Sequence, residues 1–130
     1  MNKYGQAAIK AIKLIETNQA STALEAWNIT TKELFGIGTS SQKKGCPKNA
    51  FLGLCETGLV SCIPQGNYTV RSDSSKNKGY AIRAVQLLKE NPILTENKNA
   101  LWELVIDGEA KKHNSQMDVV LALWKDGRIS

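Results

Sequence analysis

Apolar residues recur at helical spacing along most of this chain, and the strict alternation of a β-strand is almost absent. Ala8, Ala11 and Ile12 share one face of a predicted helix A over residues 3–17, with charged residues on the other faces. Capping residues, prolines and glycines predict where five more helices begin and end. Helix B runs from the Thr22–Glu25 capping box to Phe35, and helix C covers Pro47–Thr57. Helix D covers Lys78–Glu90, helix E runs from a Thr95 or Asn97 cap to Gly108, and helix F runs from a Ser115–Asp118 capping box to Gly127. Residues 36–45 and 59–77 are predicted loops, the second with a short extended piece at Asn67–Arg71.

The second half of the chain repeats the first in three places. AIKAIKLIETN at 8–18 aligns without gaps on AIRAVQLLKEN at 81–91, Trp27 matches Trp102, and KNAFLGLCETGLV at 48–60 aligns on MDVVLALWKDGRI at 117–129. Because the matches keep their order and each falls on a predicted helix, they favour an internal duplication. We predict one all-α domain over residues 1–130, in which about six helices form two duplicated three-helix units, 3–60 and 78–129. The units are expected to pack with pseudo-twofold symmetry around the nearly all-apolar helices C and F.

Length and composition are those of one soluble globular domain, with 130 residues, 14.2 kDa and 42% hydrophobic residues. The longest apolar run, Val119–Trp124, is far shorter than the roughly 18 residues of a membrane span. Lys10 and Lys13 interrupt the stretch that a secretion signal would need, and three cysteines at irregular spacing suit reduced thiols. We therefore predict a cytoplasmic protein without a membrane partner.

The net charge of +5 and the pI near 9.2 favour anionic partners, such as a small anionic molecule, nucleic acid or an acidic protein. The positive residues are spread mainly over predicted loops, and no predicted helix carries a basic stripe. Nucleic acid is therefore an alternative binding partner that the distribution of charge does not favour.

Cys46 stands at the start of predicted helix C, where the repeat aligns it with Ser115. Serine is a favoured helix cap and a neutral thiol is a poor one, so cysteine is an unusual residue there. A helix N-terminus with Lys43, Lys44 and Lys48 nearby favours a reactive thiolate, and it would equally hold a phosphate or carboxylate. The alternative is that Cys46 is a small buried apolar residue beside solvated lysines.

The segment HNSQMD at 113–118 is the counterpart of this region in the second half, and it carries the only histidine. Pseudo-twofold packing would bring the starts of helices C and F into one cleft. Its polar residues would be Cys46, His113, Asn114, Gln116 and Asp118. A cysteine with His and Asn is a known set of nucleophile, base and orienting group. The alternatives are an exposed loop histidine and an aspartate that serves only the capping box.

The chain contains no sequence motif for zinc binding, nucleotide binding or hydrolysis. Cys46, Cys55 and Cys62 lack the CxxC spacing of a zinc site, and there is no GxGxxG, Walker, HExxH or GxSxG motif. The tryptophans fall on apolar helical faces and are predicted to pack in the core: Trp27, Trp102 and Trp124. We therefore predict neither a metal nor a cofactor.

Four segments carry a resemblance to a family: SSQKKGCPKNAFLGLCETGLV, IPQGNYT, NKGYA and HNSQMDVVLALW. Through them the sequence resembles an uncharacterised family of small bacterial proteins, a domain of unknown function, over nearly its whole length. The resemblance implies no activity. It does imply recurrent polar positions, which match Lys44, Cys46, Lys48, Tyr68, Asn77, His113, Asn114 and Gln116. The family usually has a glycine after its His-Asn pair, where this chain has Ser115.

Three functions fit the sequence. The first is a small cytoplasmic protein that binds an anion or another small ligand at the starts of helices C and F, with Cys46 and His113 as candidate catalytic residues. Its ligand-binding residues would be Lys44, Lys48, Tyr68, Asn77, Asn114, Gln116 and Asp118. The second is a nucleic-acid-associated regulator in which helices B and C dock as a helix-turn-helix variant, although the loop between them is long for that motif. The third is a protein-interaction or inhibitor module, and the sequence leaves open whether the protein is an enzyme.

Overall fold

The computed structural model describes residues 2–61, 63, 66, 75–109, 113 and 115–129. These residues form six α-helices in the predicted order: α1 (Lys3–Glu16), α2 (Ala23–Phe35), α3 (Gly45–Glu56), α4 (Ser75–Glu90), α5 (Lys98–Ile106) and α6 (Gln116–Lys125). A short 3₁₀ helix, Pro92–Glu96, precedes α5. The described part has no β-strand beyond an isolated bridge, so the predicted all-α class is confirmed. None of the described helices is long and apolar enough to cross a lipid bilayer.

Side-chain caps start α2 and α5 where the sequence predicts them. Thr22 Oγ1 accepts a hydrogen bond from Glu25 N at 3.1 Å, and Asn97 Oδ1 accepts one from Ala100 N at 3.0 Å. Each bond satisfies a backbone donor that the first turn of a helix leaves free. Of the two residues predicted to cap helix E, Asn97 does so, and Thr95 lies in the 3₁₀ helix.

Helices α3 and α4 begin earlier than predicted. α3 starts at Gly45, two residues before Pro47, so Cys46 is the second residue of the helix and Lys44 holds the cap position. α4 starts at Ser75, three residues earlier than expected. A proline is tolerated throughout the first turn, because the N–H that it lacks has no helical partner there. The proline therefore marks the first turn of α3 without marking its first residue.

All six helices contribute to the core, and α3 and α6 are the most completely buried of them. Every residue of α3 from Ala50 to Glu56 is buried, and in α6 only Asp118 among residues 116–123 is partly exposed. Trp27 of α2 is fully buried and stacks on Phe51, with ring centroids 5.1 Å apart. Removing these apolar side chains from water provides the main driving force for folding.

α3 and α4 pack more extensively than any other pair of the described helices. At their crossing Gly53 leaves no room for a side chain, because a Cβ there would lie 2.7 Å from Lys78 Cβ and 2.8 Å from Lys78 Cα. One turn further along α3, the buried carboxylate of Glu56 pairs with Lys78 Nζ at 2.6 Å. The pairing compensates a charge that would otherwise be costly to bury.

The helix packing supports the predicted duplication. α1 packs against α2 and α6, and α4 packs in the matching way against α5 and α3. Val60 and Ile129, which the repeat aligns with each other, form an antiparallel bridge, and Ser61 N donates to Arg128 O at 2.8 Å. Residues close to a twofold axis meet their own equivalents in this way. The match is incomplete, since α4 also packs against α6 while α1 has little contact with α3, and the duplication stays a prediction.

Candidate functional site

The structure distributes the predicted site residues over two regions. The first is the start of α3, beside the first turn of α1, with Lys44, Cys46 and Lys48. The second is where the starts of α4 and α6 meet α5, with Asn77, His113, Gln116 and Asp118. No hydrogen bond, ion pair or ring contact joins the two regions within the described residues. Tyr68, Asn114 and the predicted extended piece Asn67–Arg71 lie outside the described residues.

His113, rather than Ser115, caps α6. Its Nε2 accepts a hydrogen bond from Met117 N at 3.0 Å, which requires a neutral imidazole with its proton on Nδ1. Ser115 has a left-handed backbone, with φ at +67°, and its side chain makes no capping hydrogen bond. The predicted Ser115–Asp118 capping box is therefore wrong, because a capping serine needs an extended backbone to reach the first turn. Asp118 instead forms an ion pair with Lys98.

The imidazole of His113 is half-buried and packs edge-on against Trp102, with ring centroids 5.1 Å apart. Burial is the largest influence on the pKa of His113 and lowers it below the ordinary value. The neighbouring Asp118 raises this pKa, and Lys98 lowers it. The folded protein therefore favours the neutral imidazole that the α6 cap requires.

This cap makes the stability of the protein depend on pH. A group whose pKa is lower in the folded state contributes stability that is complete above its unfolded-state pKa and is lost as the pH falls towards the folded-state pKa. We expect the free energy of unfolding to fall as the pH drops below 6.5, the ordinary pKa of histidine. Urea titrations between about pH 8 and pH 5.5 measure the effect.

The matched control is His113→Gln, which keeps an acceptor near the position of Nε2 and does not titrate. This variant should lose much less stability over the same pH range. His113 is the only histidine in the chain, so no other histidine can produce the difference. Equal pH dependence in the two proteins would contradict the capping role.

Gln116, the first residue of α6, is fully buried. Its Nε2 donates to Asn77 Oδ1 at 2.9 Å, across to the first turn of α4. A buried amide needs such a partner, since an unpaired buried polar group is costly. This pair of predicted site residues therefore ties two helix starts together.

A groove of about 310 Å³ opens beside α6, between the start of α1 and the junction of the 3₁₀ helix with α5, and the side chains that α6 contributes run from Asp118 to its last residue, Lys125. Its floor is apolar, formed by Leu121 and Ala122. Its wall is polar: Asn2, Thr95, Glu96, Lys98, Asp118 and Lys125. The volume lies at the lower end of the range of about 300–1,000 Å³ that small-molecule sites occupy. Of the predicted site residues, only Asp118 lines this groove.

The groove wall carries charges of both signs. Lys98 Nζ and Asp118 Oδ1 pair at 3.0 Å, and the Asp118 side chain is only 13% exposed. Lys125 and Glu96 are exposed and have no ion-pair partner within the described residues. Asn2 Oδ1 caps α1 by accepting from the backbone at 2.7 Å, which leaves its amide N–H groups available to a ligand.

Sequence reasoning missed most of this groove because its residues belong to separate segments of the chain and form no motif. The one available signal was Asn2, whose position before a helical pattern is typical of a cap. A cap residue at a helix start is a common structural feature, so it did not point to a ligand. The cavity exists only because the starts of α1 and α5 meet the side of α6.

Cys46 is partly exposed at the start of α3, whereas Cys55 is fully buried. Burial raises the pKa of the Cys55 thiol above its usual range, and the neighbouring Glu56 raises it further. Cys62 lies outside the described residues. The described part of the chain brings no group of three or more His, Cys, Asp or Glu side chains together as a metal site. The nucleophile and base roles of Cys46 and His113 stay predictions.

Residues 1–130 match a family of unknown function, DUF6979. No curated protein and no solved structure is significantly similar to the chain. A function for this fold therefore has to be argued from the geometry of its own residues.

Proposed function

The chain belongs to the DUF6979 family, whose function is unknown, and we propose that it binds a small amphoteric molecule in the groove that α6 lines together with the starts of α1 and α5. The groove itself is the observation that carries the proposal, because it combines an apolar floor with unpaired groups of both charges. A few converging polar groups above an apolar surface are typical of small-ligand sites. As the sequence analysis predicts, such a protein would work in the bacterial cytoplasm.

The wall of the groove suggests the chemistry of the ligand. Lys125 and the amide of Asn2 suit a carboxylate, and Glu96 suits an ammonium group. The floor of Leu121 and Ala122 suits a short apolar side chain. A free α-amino acid has these three parts. A purely anionic ligand, as the sequence suggested, would be repelled by Glu96.

The described contacts favour binding over catalysis. His113 Nε2 is engaged by the backbone of α6, and no hydroxyl or thiol within the described residues is hydrogen-bonded to this imidazole. A nucleophile needs such a base within hydrogen-bond reach. The proposal is therefore limited to recognition of the ligand.

The helix-turn-helix alternative has little support from the packing of α3. A recognition helix must present a free face to the major groove of DNA. α3 is buried on all sides from Ala50 to Glu56. The large apolar side chains that are exposed belong to different segments and favour no particular protein interface: Ile29, Ile37, Ile93 and Leu104.

Calorimetric titration with a panel of free amino acids tests the proposal. The panel is run beside amine and carboxylate analogues that each lack one charge. We expect at least one amino acid to bind and its one-charge analogues to bind more weakly. Lys125→Gln and Glu96→Gln should each weaken binding by about tenfold or more, because hydrogen bonds to charged groups contribute about 1.5–3 kcal/mol.

Lys13→Gln and Glu103→Gln are the matched controls, since both side chains are exposed away from the groove. They change the net charge by the same amount and should leave the affinity unaltered. The proposal is wrong if no amino acid binds at millimolar concentration, or if the controls weaken binding as much as the groove variants.

A further inference from the structure

Four lysines collect where the starts of α1 and α3 meet the loop between α2 and α3. We call this surface the basic corner: Lys3, Lys43, Lys44 and Lys48. Acidic residues are absent from the sequence around it, with none before Glu16 and none between Glu33 and Glu56. The stretches of chain that carry these lysines therefore contain positive charges only.

Two aromatic rings hold the segments of the basic corner together. Tyr4 of α1 and Phe35 of α2 lie with their ring centroids 4.6 Å apart. Lys44 Nζ lies 5.8 Å from the centre of the Tyr4 ring, and Lys3 Nζ lies 5.9 Å from the centre of the Phe35 ring. Both distances suit cation–π contacts, which position the ammonium groups without neutralising them.

The loop that carries Lys43 and Lys44 is anchored by hydrogen bonds. Tyr4 Oη donates to Ser41 O at 2.8 Å. The buried side chain of Gln42 donates to Thr31 Oγ1 at 3.3 Å. These bonds run to α1 and α2, so the loop presents its lysines at a defined place on the surface.

The lysines of the basic corner have no acidic partner within the described residues, whereas four lysines elsewhere do. The ion pairs of other lysines are Lys10–Glu33, Lys76–Glu109, Lys78–Glu56 and Lys98–Asp118. Within the described residues, no carboxylate lies within ion-pair distance of any of the four corner lysines. Their charges are therefore available to an external anion.

The first turn of α3 adds backbone donors to these charges. Lys44 at the cap position provides no side-chain hydrogen bond, whereas side chains cap α1, α2, α5 and α6. The N–H groups of Gly45 and Cys46 have no acceptor within the described residues. Helix starts and lysines are the groups with which proteins hold nucleic-acid phosphates.

We propose that the basic corner binds the phosphate backbone of nucleic acid, in contacts that do not read the base sequence. The lysines come from three segments, so a polymer with regularly spaced phosphates can meet several of them at once. Base stacking is not available, because Tyr4 is only 8% exposed and its ring packs against Phe35. A lipid surface fits less well, because Ile37 is the only large apolar side chain exposed in this loop.

Fluorescence anisotropy with a labelled DNA duplex of mixed sequence tests the proposal at two salt concentrations. Each phosphate neutralised contributes a slope of about −0.9 to the logarithm of affinity against the logarithm of salt. If all four lysines make contacts, affinity should fall roughly 150-fold between 50 and 200 mM salt. Duplexes of different sequence should bind with equal affinity.

The test variant replaces Lys43, Lys44 and Lys48 by glutamine. Its salt dependence should shrink to roughly three- to fourfold over the same range, since one lysine contact remains. The control replaces three exposed lysines elsewhere by glutamine, Lys13, Lys76 and Lys89, and changes the net charge equally. The control should keep most of the affinity and most of the slope.

Four results would overturn the inference. The first is no duplex binding at low salt, and the second is equal loss of binding in the test and control variants. The third is inhibition of duplex binding by inorganic phosphate at an equal phosphate concentration, which would identify a site for a small anion. Binding to vesicles rich in anionic lipid but not to DNA would likewise replace nucleic acid with a membrane surface. None of these results bears on the amino-acid groove.

Discussion

Replacing Trp27 by alanine is expected to lower the free energy of unfolding by about 3–5 kcal/mol, the usual cost of removing a buried large aromatic side chain. Trp27 is fully buried in α2, and its indole stacks on Phe51 of α3 with an interplanar angle of 25°. The substitution would leave a cavity between these two helices. Urea titration followed by circular dichroism measures the loss, and a cost near zero would contradict the burial of this residue.

Trp27→Phe separates packing from hydrogen bonding at the same position. The indole Nε1 is buried and has no hydrogen-bond partner within the described residues. Phenylalanine therefore loses volume but no hydrogen bond, and we expect a cost of about 1–2 kcal/mol. If Trp27→Phe costs as much as Trp27→Ala, the indole N–H contributes through a partner. Trp102→Ala, which removes a side chain that is only 5% exposed, should cost as much as Trp27→Ala.

Replacing Gly53 by alanine is expected to destabilise the protein by about 1–3 kcal/mol, the range for overpacking a core. Helix propensity alone predicts the opposite sign, because alanine favours a helix interior over glycine by about 1 kcal/mol. The structure reverses this expectation, since the new methyl group would lie 2.7 Å from Lys78 Cβ. α3 and α4 would have to move apart, and the Glu56–Lys78 ion pair would be strained with them.

Gly79→Ala is the matched control for this prediction. Gly79 lies in α4, and a Cβ built there meets no atom within 4 Å. This substitution should stabilise the protein by up to about 1 kcal/mol. Opposite signs for the two glycines, measured by the same urea titrations, would establish the close crossing of α3 and α4. A stabilising Gly53→Ala would contradict it.

At the start of α6 the sequence pattern predicts that the helix is capped, but it does not identify the residue that caps it. Ser115 followed by Asp118 has the spacing of a capping box, and a cap is indeed required at this point. The cap is provided by His113, which a sequence pattern does not identify because imidazole caps have no common spacing. Packing of the imidazole against Trp102 holds it in place, and that contact depends on the docking of α5 beside α6.

The predicted cleft shared by Cys46 and His113 is another feature that the sequence pattern alone leaves open. The repeat aligns Val60 with Ile129, and these two residues form an isolated bridge in the structure. It did not tell whether the starts of the corresponding helices converge. In the structure Lys44, two residues before Cys46, lies over the ring of Tyr4 in the first turn of α1, while His113 packs against Trp102 of α5. A pseudo-twofold relation leaves both arrangements open, because the crossing angle of the central helices decides between them.

The sequence by itself determined the helices, their order and the all-α class, because apolar periodicity, caps and terminating residues act over a few neighbouring positions. It also identified Trp27 and Trp102 as core residues. Only the tertiary structure decided which side chains share a site. Lys98 pairs with Asp118 20 residues away, and Gln116 bonds to Asn77 39 residues away. Such contacts, and the groove where the starts of α1 and α5 meet α6, depend on how packed helices cross, and no local pattern encodes that geometry.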